Sequence, residues 1–435
     1  MTIVLMLLYM FSFLDRTIIV LLIEPIKHDL QLTDTQISLL YGFAFAIFYT
    51  LMGIPIARLA DSRSRRNIIA AGVLVWSAMT ALCGLARNFG MLFFARVGVG
   101  VGEAALSPAA YSLISDSFPE YQRPKAMSVY SMGLYMGVGV ALLAGGLVID
   151  FVEGAGVLSL PLVGELYSWQ TTFLVAAAPG VLFVILVMAL REPSRHGVGY
   201  GGSQGMPLRE ALGWFVQRKR FFLSFYLAMA CLVFYTYSLN AWIPSFFIRT
   251  HGWSTLQVSQ NYGVIVLLFG PVGIFAGGWL CSARAQGGDE LANVRMLSVA
   301  CIALLVPATT MTLVDSPWAA LAIIAAIQFL SGLPLGVAMA GVHQVTPNHL
   351  RAQSAAIYFF VINLLGLGMG PTTVALLTDY VFGDPEALRY SMAIVGFVAC
   401  ALGFFLSLRA TRMFRELKQD QMNDIAPGRR AEPAH

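Results

Sequence analysis

The chain has 435 residues, of which 58% are hydrophobic and only 11% charged, with a mean hydropathy of +0.73 and a formal net charge of +4. Soluble domains carry about 25% charged residues, so an ordinary soluble enzyme is excluded. Apolar runs of about 20 residues, each able to cross a hydrocarbon core of ~30 Å, recur along the whole length. In chain order they cover 3–23, 36–59, 67–87, 90–116, 125–150, 168–190, 221–248, 256–282, 293–314, 317–342, 352–379 and 388–409. Twelve such runs predict an all-α, multi-pass membrane protein.

The cations predict its orientation. With the N-terminus inside, 21 of the 27 Lys and Arg fall in inner loops or the tail, notably Arg58, Arg63, Arg65 and Arg66, the six between Arg191 and Arg220, and the six from Arg409 onward. The outer loops hold Lys27, Arg87, Arg249 and Arg389. This positive-inside pattern places both termini in the cytoplasm and the protein in the cell's inner membrane. The positive charge therefore reports topology, and no nucleic-acid partner is expected.

The first run begins almost at Met1, without a basic leader. It carries Asp15 and Arg16 and precedes eleven further runs, so a native start further upstream is expected rather than a cleaved signal peptide. Cys83, Cys231, Cys281, Cys301 and Cys400 fall singly within or at the ends of apolar runs. They read as small hydrophobes, with no metal or redox spacing.

The longest polar interruption, 191–220, holds Pro193, Pro207, several glycines and six cations. It divides the chain into an N-terminal six-helix bundle (1–190), a cytoplasmic linker (191–220), a C-terminal six-helix bundle (221–410) and a tail (411–435). Within the linker, 209–220 predicts a short amphipathic helix on the inner surface. Gly201-Gly202-Ser203-Gln204-Gly205 fits a nucleophile elbow and Gly197-Val198-Gly199-Tyr200-Gly201-Gly202 a dinucleotide fingerprint. Both need a strand-turn-helix context that a linker between membrane domains lacks. None of the four lysines follows a glycine, which excludes a Walker A loop and ATP hydrolysis by this chain. No catalytic residue, cofactor or metal is expected. The halves also echo one another: Pro119, Arg123 and Tyr130 match Pro347, Arg351 and Tyr358 at a constant offset of 228.

Four ionisable residues lie inside the runs: Asp15, Arg16, Arg96 and Glu103. Each charge at bilayer depth costs at least ~2.5–3.5 kcal/mol, so it faces a partner or a wet cavity. Asp15 and Arg16 point about 100° apart on their helix, while Arg96 and Glu103, seven residues apart, share a face. One reading is a static network that fixes packing. The other is proton coupling: burial favours the neutral acid and arginine favours the carboxylate, so a moving helix changes which wins.

Between the second and third runs, Ala57-Arg58-Leu59-Ala60-Asp61-Ser62-Arg63-Ser64-Arg65-Arg66 joins an acid to several cations at a helix end. It resembles the loop signature of the major facilitator superfamily, Gly-x-x-x-Asp-Arg/Lys-x-Gly-Arg-Arg. Asp61, Arg65 and Arg66 keep their places, and Ala57, Ser62 and Ser64 replace two glycines and a basic residue. Arg96-x-x-x-Gly100 resembles the fourth-helix motif of that family. Gly133-x-x-x-Gly137 with Gly145-Gly146 resembles the fifth-helix motif without its proline. Read with Phe13-Leu14-Asp15-Arg16, Leu32-Thr33-Asp34-Thr35-Gln36 and the stretch Arg96 to Glu103, the N-terminal half resembles the Spinster branch.

The resemblance implies two six-helix bundles around a midplane cavity, alternating access, and sphingolipid or lysophospholipid substrates. It implies that Asp15, Glu103, Arg16 and Arg96 are the functional charges and that Asp61, Arg65 and Arg66 form an inner gate. Gly366, Gly368, Gly370 and Pro371 mark either a flexible point in the eleventh helix or small-residue packing. Candidate substrate contacts are Arg16, Tyr41, Phe45 and Tyr130 in the first half and Tyr235, Asn240, Tyr358 and Asn363 in the second. Tyr49, Phe234 and Tyr237 join them as aromatic lining suited to an amphiphile. The expected function is proton-coupled secondary transport of such a lipid by a monomer amid membrane lipids. The alternatives are a transporter of small organic anions or drug-like compounds and, from another class, a non-transporting sensor.

Overall fold

Inside a hydrocarbon layer every backbone N–H and C=O needs an internal partner, so apolar runs of this length form helices. A computed structural model of the chain describes residues 1–119, 121–156, 158–160, 164–193, 208–347 and 350–425. The twelve runs form α1 (Thr2–Leu21), α2 (Asp34–Ala60), α3 (Arg65–Cys83), α4 (Phe89–Ser117), α5 (Lys125–Ala155), α6 (Ser168–Met188), α7 (Lys219–His251), α8 (Thr255–Gln286), α9 (Ala292–Thr310), α10 (Pro317–Val345), α11 (Gln353–Phe382) and α12 (Pro385–Gln419). An even number of crossings leaves both ends of the chain on one face, here called the termini face; the opposite one is the far face. The protein is a multi-pass membrane protein.

In the first bundle α1 packs on α5, and α4 packs on α2 and α3; in the second, α7 packs on α12, α8 on α10, and α9 on both α10 and α12. The bundles meet along α5 with α8 and along α2 with α11. Glycine permits the closest approaches. A Cβ on Gly133 of α5 would lie 2.8 Å from the Met6 carbonyl oxygen of α1, so the fifth-helix glycines serve packing there. A Cβ on Gly42 of α2 would lie 2.6 Å from the Leu367 carbonyl oxygen of α11, across the seam between bundles. Both helices carry a wide π turn at this crossing, Leu39–Phe43 in α2 and Asn363–Leu367 in α11.

Trp76, Trp169 and Trp242 are fully buried, and the Trp242 indole donates to the Pro371 carbonyl (2.9 Å), tying α7 to α11. Phe275 and Trp279 of α8 are outward-facing and exposed, as a lipid-covered surface requires. The halves share one local feature, an arginine that bonds back to a carbonyl of the preceding helix end, though over different spans. Arg123 Nε donates back to the Phe118 carbonyl (3.1 Å), and Arg351, its counterpart in the repeat, donates back to the His343 carbonyl (3.3 Å).

Three features depart from the sequence reading. A short antiparallel hairpin, β1 (Leu158–Leu160) and β2 (Gly164–Leu166), pairs Leu158 with Leu166 in the loop between α5 and α6, a detail that the all-α reading did not include. The helix begun in α12 continues to Ile425, well into the expected tail; the first helix-breaking pair, Pro427-Gly428, comes only after it. The linker helix spans Leu208–Gln217, with Arg218 set 4.5 Å over the Trp214 ring, and α7 starts at Lys219. The two glycine-rich decoys lie outside the described residues.

Candidate functional site

α1 and α4 bring all four intramembrane charges together, but not as a symmetric cluster. Arg16 meets Glu103 at 2.5 Å from both Nε and Nη2, while the aromatic faces of Phe45, Tyr49 and Phe13 surround its guanidinium at 4.5, 4.8 and 5.0 Å. Such faces favour a cation through their quadrupoles. Arg96 instead holds backbone, donating to the Asp15 carbonyl (3.1 Å) and the Leu40 carbonyl (3.4 Å). Asp15 is fully buried, and among the described residues its carboxylate oxygens make no hydrogen bond of acceptable geometry. The Thr80 hydroxyl of α3 is its polar neighbour. The expectation of two acids balanced by two arginines is thereby corrected: Glu103 holds an arginine on its carboxylate, and Asp15 has none within ion-pair distance among the described residues. The cause is helical geometry, since adjacent residues on α1 face directions about 100° apart.

Beside this cluster, on the seam between bundles, lies a cavity of about 60 Å³. The first bundle contributes Arg16, Arg96, Phe13, Thr17, Tyr41 and Phe45, with Val138 and Leu142 from α5. The second contributes Tyr237 and Asn240 of α7, Tyr262 of α8 and Leu367 of α11. Behind Asn240 stands a small polar ring. The Tyr262 hydroxyl donates to Asn240 Oδ1, and Gln328 Nε2 of α10 donates to both Asn240 Oδ1 (3.2 Å) and Tyr262 Oη (3.1 Å).

Of the proposed contacts, Arg16, Tyr41, Phe45, Tyr237 and Asn240 line the cavity, and Tyr49 stacks on Phe45 at 5.3 Å. Tyr235 does not; it opens on a second cavity of about 10 Å³ inside the C-terminal bundle with Ser238, Met311 and Val374. At 3.6 residues per turn, positions 237 and 240 share a face of α7 that 235 does not. Tyr130 is buried behind α1, stacked on Tyr9 at 4.9 Å and 3.3 Å from the Ser107 hydroxyl. Its repeat partner Tyr358 packs on Tyr226 at 5.7 Å. Phe234 lies against Gly370 and Gly366 on the seam of α7 with α11, where Asn363 opens a π turn. Tyr262 and Gln328 escaped the sequence reading, although a polar side chain within an otherwise apolar run was a usable signal.

The two faces differ in how their charges are connected. On the far face Arg249, at the end of α7, donates to both carboxylate oxygens of Asp34 (2.8 and 2.8 Å) and to Glu24 (2.9 Å). Lys27 adds a contact to Asp34 at 2.6 Å. Thr35 gives both its N–H and its hydroxyl to Asp379 of α11, each at 2.7 Å. Thr33 and Gln36 form a capping box that presents Asp34 and Thr35 at the start of α2. The stretch Leu32–Gln36 thus clamps one bundle to the other.

On the termini face Arg65 is buried and donates to Asp116 of α4, to Glu192 beyond α6 (3.4 Å) and to the Pro193 carbonyl (3.0 Å). Arg66 reaches the Met188 and Leu190 carbonyls, both at 3.4 Å. These bonds stay within the first bundle and the first residues of the linker, so the two arginines brace that bundle rather than bridge to its partner. The side chain of Asp61 lies outside the described residues. Partial burial raises the pKa of Glu192, but hydrogen bonds from the Ser64 hydroxyl and the Arg65 amide and guanidinium outweigh it and hold the carboxyl below its usual range.

The Major Facilitator Superfamily profile matches residues 5–371. An MFS-type efflux pump of Mycolicibacterium smegmatis is 28% identical over 89% of this chain and 86% of its own length. The sphingosine-1-phosphate transporter SPNS2 of Danio rerio is 23% identical over 95% of this chain and 85% of its own. Sugar-acid transporters stand among the relatives as well. A crystal structure of a bacterial homologue of the human lysosomal transporter Spinster, inward-facing and unoccupied, superposes with a TM-score of 0.77 at 26% identity, covering 100% of this chain and 98% of that one. With its twelve helices in two bundles, the chain belongs to the Major Facilitator Superfamily and is Spinster-like in sequence and fold.

Proposed function

We propose that this transporter moves an amphiphilic, lipid-like substrate of the lysophospholipid or sphingolipid class, coupled to protons, by alternating access. One observation carries the reading: a seam cavity lined by two arginines and aromatic faces adjoins a fully buried acid, Asp15, that has no ion-pair partner among the described residues. The arginines suit an anionic head group, the amide of Asn240 a neighbouring polar group, and the aromatic walls the start of an acyl chain. Burying a bare carboxylate costs several kcal/mol, a penalty that its protonated form does not bear. A proton on Asp15 would therefore accompany the step that seals it from water, and separation of Arg16 from Glu103 would create the same demand at Glu103.

Ligand pockets measure roughly 300–1,000 Å³, whereas this cavity is about 60 Å³. Loading therefore needs the bundles to part, and with the far face clamped through Arg249, the termini face is the one that opens. We place that face in the cytoplasm of a bacterial inner membrane, on the asymmetry of Lys and Arg, and take the monomer as the working unit. Flux into proteoliposomes with and without a pH gradient tests the reading. Arg16→Ala should abolish flux, and Asp15→Asn and Glu103→Gln should flatten its pH dependence while the protein stays folded. Wild-type pH dependence in both acid variants would make the cluster structural.

The small cavity also favours a second reading, a small organic anion held by Arg16 and Arg96. Competition decides between them: lysophospholipids should displace one another, whereas uptake of hydrophilic anions unaffected by lipid would establish the second.

A further inference from the structure

The two walls of the cavity differ chemically. Arg16 and Arg96 make the first bundle's wall cationic, while the polar groups offered by the second bundle, Tyr237, Asn240 and Tyr262, are all uncharged. The ring of Asn240, Tyr262 and Gln328 has a direction. Asn240 Oδ1 accepts from the Tyr262 hydroxyl and from Gln328 Nε2, and Tyr262 Oη spends its own proton on Asn240 while accepting from Gln328. Reversing the Asn240 amide alone would set its N–H groups against the N–H of Gln328, so the two amides are oriented together. With its oxygen doubly engaged, Asn240 has only its two N–H donors left, and it stands on the cavity wall beside Tyr237 and Tyr262, whose own proton is already committed. Three helices converge on this one amide: α7 carries it, and α8 and α10 hold it.

We infer that Asn240, pinned by Tyr262 and Gln328, is a donor subsite on the C-terminal bundle that reads an uncharged acceptor oxygen of the substrate, such as a hydroxyl or an ester carbonyl, while the arginines of the N-terminal bundle take its anionic end. The inference rests on the amphiphile reading above and narrows it. The substrate carries an anionic head and, next to it, a neutral oxygen, as a lysophosphatidate does and a simple alkyl phosphate does not. Tyr262 and Gln328 are positioning residues: they fix which way the amide points. A neutral donor contributes discrimination more than affinity, because a substrate lacking the acceptor leaves the buried N–H groups unpaired. Since the two half-sites belong to different bundles, a substrate that satisfies both also spans the seam that must move.

Binding of two probes to the purified full-length protein in lipid nanodiscs tests this: palmitoyl lysophosphatidate, and hexadecyl phosphate, which has the anion and the chain but neither the hydroxyl nor the ester. Wild type should prefer the lysophosphatidate by about tenfold or more. Asn240→Leu should bring the ratio close to one, with the larger loss of affinity falling on the lysophosphatidate. Tyr262→Phe, which removes a single oxygen, and Gln328→Leu should each lower the ratio, and Tyr262→Phe keeps the test open where Asn240→Leu fails to fold. A wild-type ratio near one, or a preference that survives all three substitutions, overturns the donor subsite but leaves the amphiphile reading standing. Failure of both probes to bind overturns the two together.

Discussion

The far face and the termini face of this protein hold comparable numbers of opposed charges and use them oppositely. On the far face Arg249 sits in one bundle and its carboxylates, Asp34 and Glu24, in the other. On the termini face Arg65 and its carboxylates, Asp116 and Glu192, belong to the first bundle and the start of the linker that leaves it. An ion pair within a rigid body stabilises that body in every conformation, whereas an ion pair between two bodies favours the conformation in which they touch. The far-face network is therefore a conformational element and the described termini-face network a structural one.

Substitutions on each face break or sharpen that contrast. The largest effect is expected from Arg249→Ala, which strands Asp34, fully buried, without its main partner; removing one member of a buried pair costs about 3–5 kcal/mol. Because the pair crosses the seam, that loss should appear as opening of the far face. Spin labels at His28→Cys and Glu386→Cys, both exposed, should lose their short-distance population, and an unchanged distribution would reduce the clamp to decoration. Arg65→Ala comes next, at about 3 kcal/mol, since its two acids are partly exposed. Here thermal stability should drop while the far-face distances stay put; a shift in those distances would erase the distinction between the faces.

A smaller step is Asp379→Asn. It weakens the paired bonds from Thr35 and should cost about 1–2 kcal/mol as charge-assisted bonds become neutral. Partial far-face opening, less than for Arg249→Ala, is the expected reading from the same labels. The smallest effect concerns pH. Glu192 has a folded pKa below its unfolded one, so its contribution to stability is fully present above the unfolded value and fades as pH falls through the folded value. Glu192→Gln should leave thermal stability at neutral pH slightly lower and its acid-side slope shallower. A steeper acid slope in the variant would contradict the bonds drawn from Ser64 and Arg65.

Hydropathy and charge scarcity are properties of a line, which is why the twelve spans, the six-plus-six division and the four intramembrane charges could be read without coordinates. Pairing is a property of helix rotation and of distance across the fold. Asp15 and Arg16 are neighbours in the chain, yet only the second found an acid, because each faces its own direction around α1. Tyr235 and Tyr237 were equal as letters and lie on opposite sides of α7. Arg249 read as one cation in an outer loop, and Leu32–Gln36 as a mark of kinship. Their clamp joins residues 215 positions apart, a separation that no local pattern encodes.

The π turns at the crossing of α2 and α11 have a consequence for how the seam can deform. A π turn holds one residue more than an α turn without opening the backbone ladder, and passing that extra residue along a helix rotates the side chains it overtakes by about 100°. Tyr41 lies inside the turn of α2 and on the cavity wall. The side chains of α2 at the seam can therefore turn by such a step without the helix unwinding, and the gear is a bulge. Migration of that bulge would swing Tyr41 out of the cavity while Gly42 and Leu367 kept their contact. Amide exchange at Leu39–Phe43 should then run faster than in the turns flanking it, and equally slow exchange throughout α2 would lock the gear.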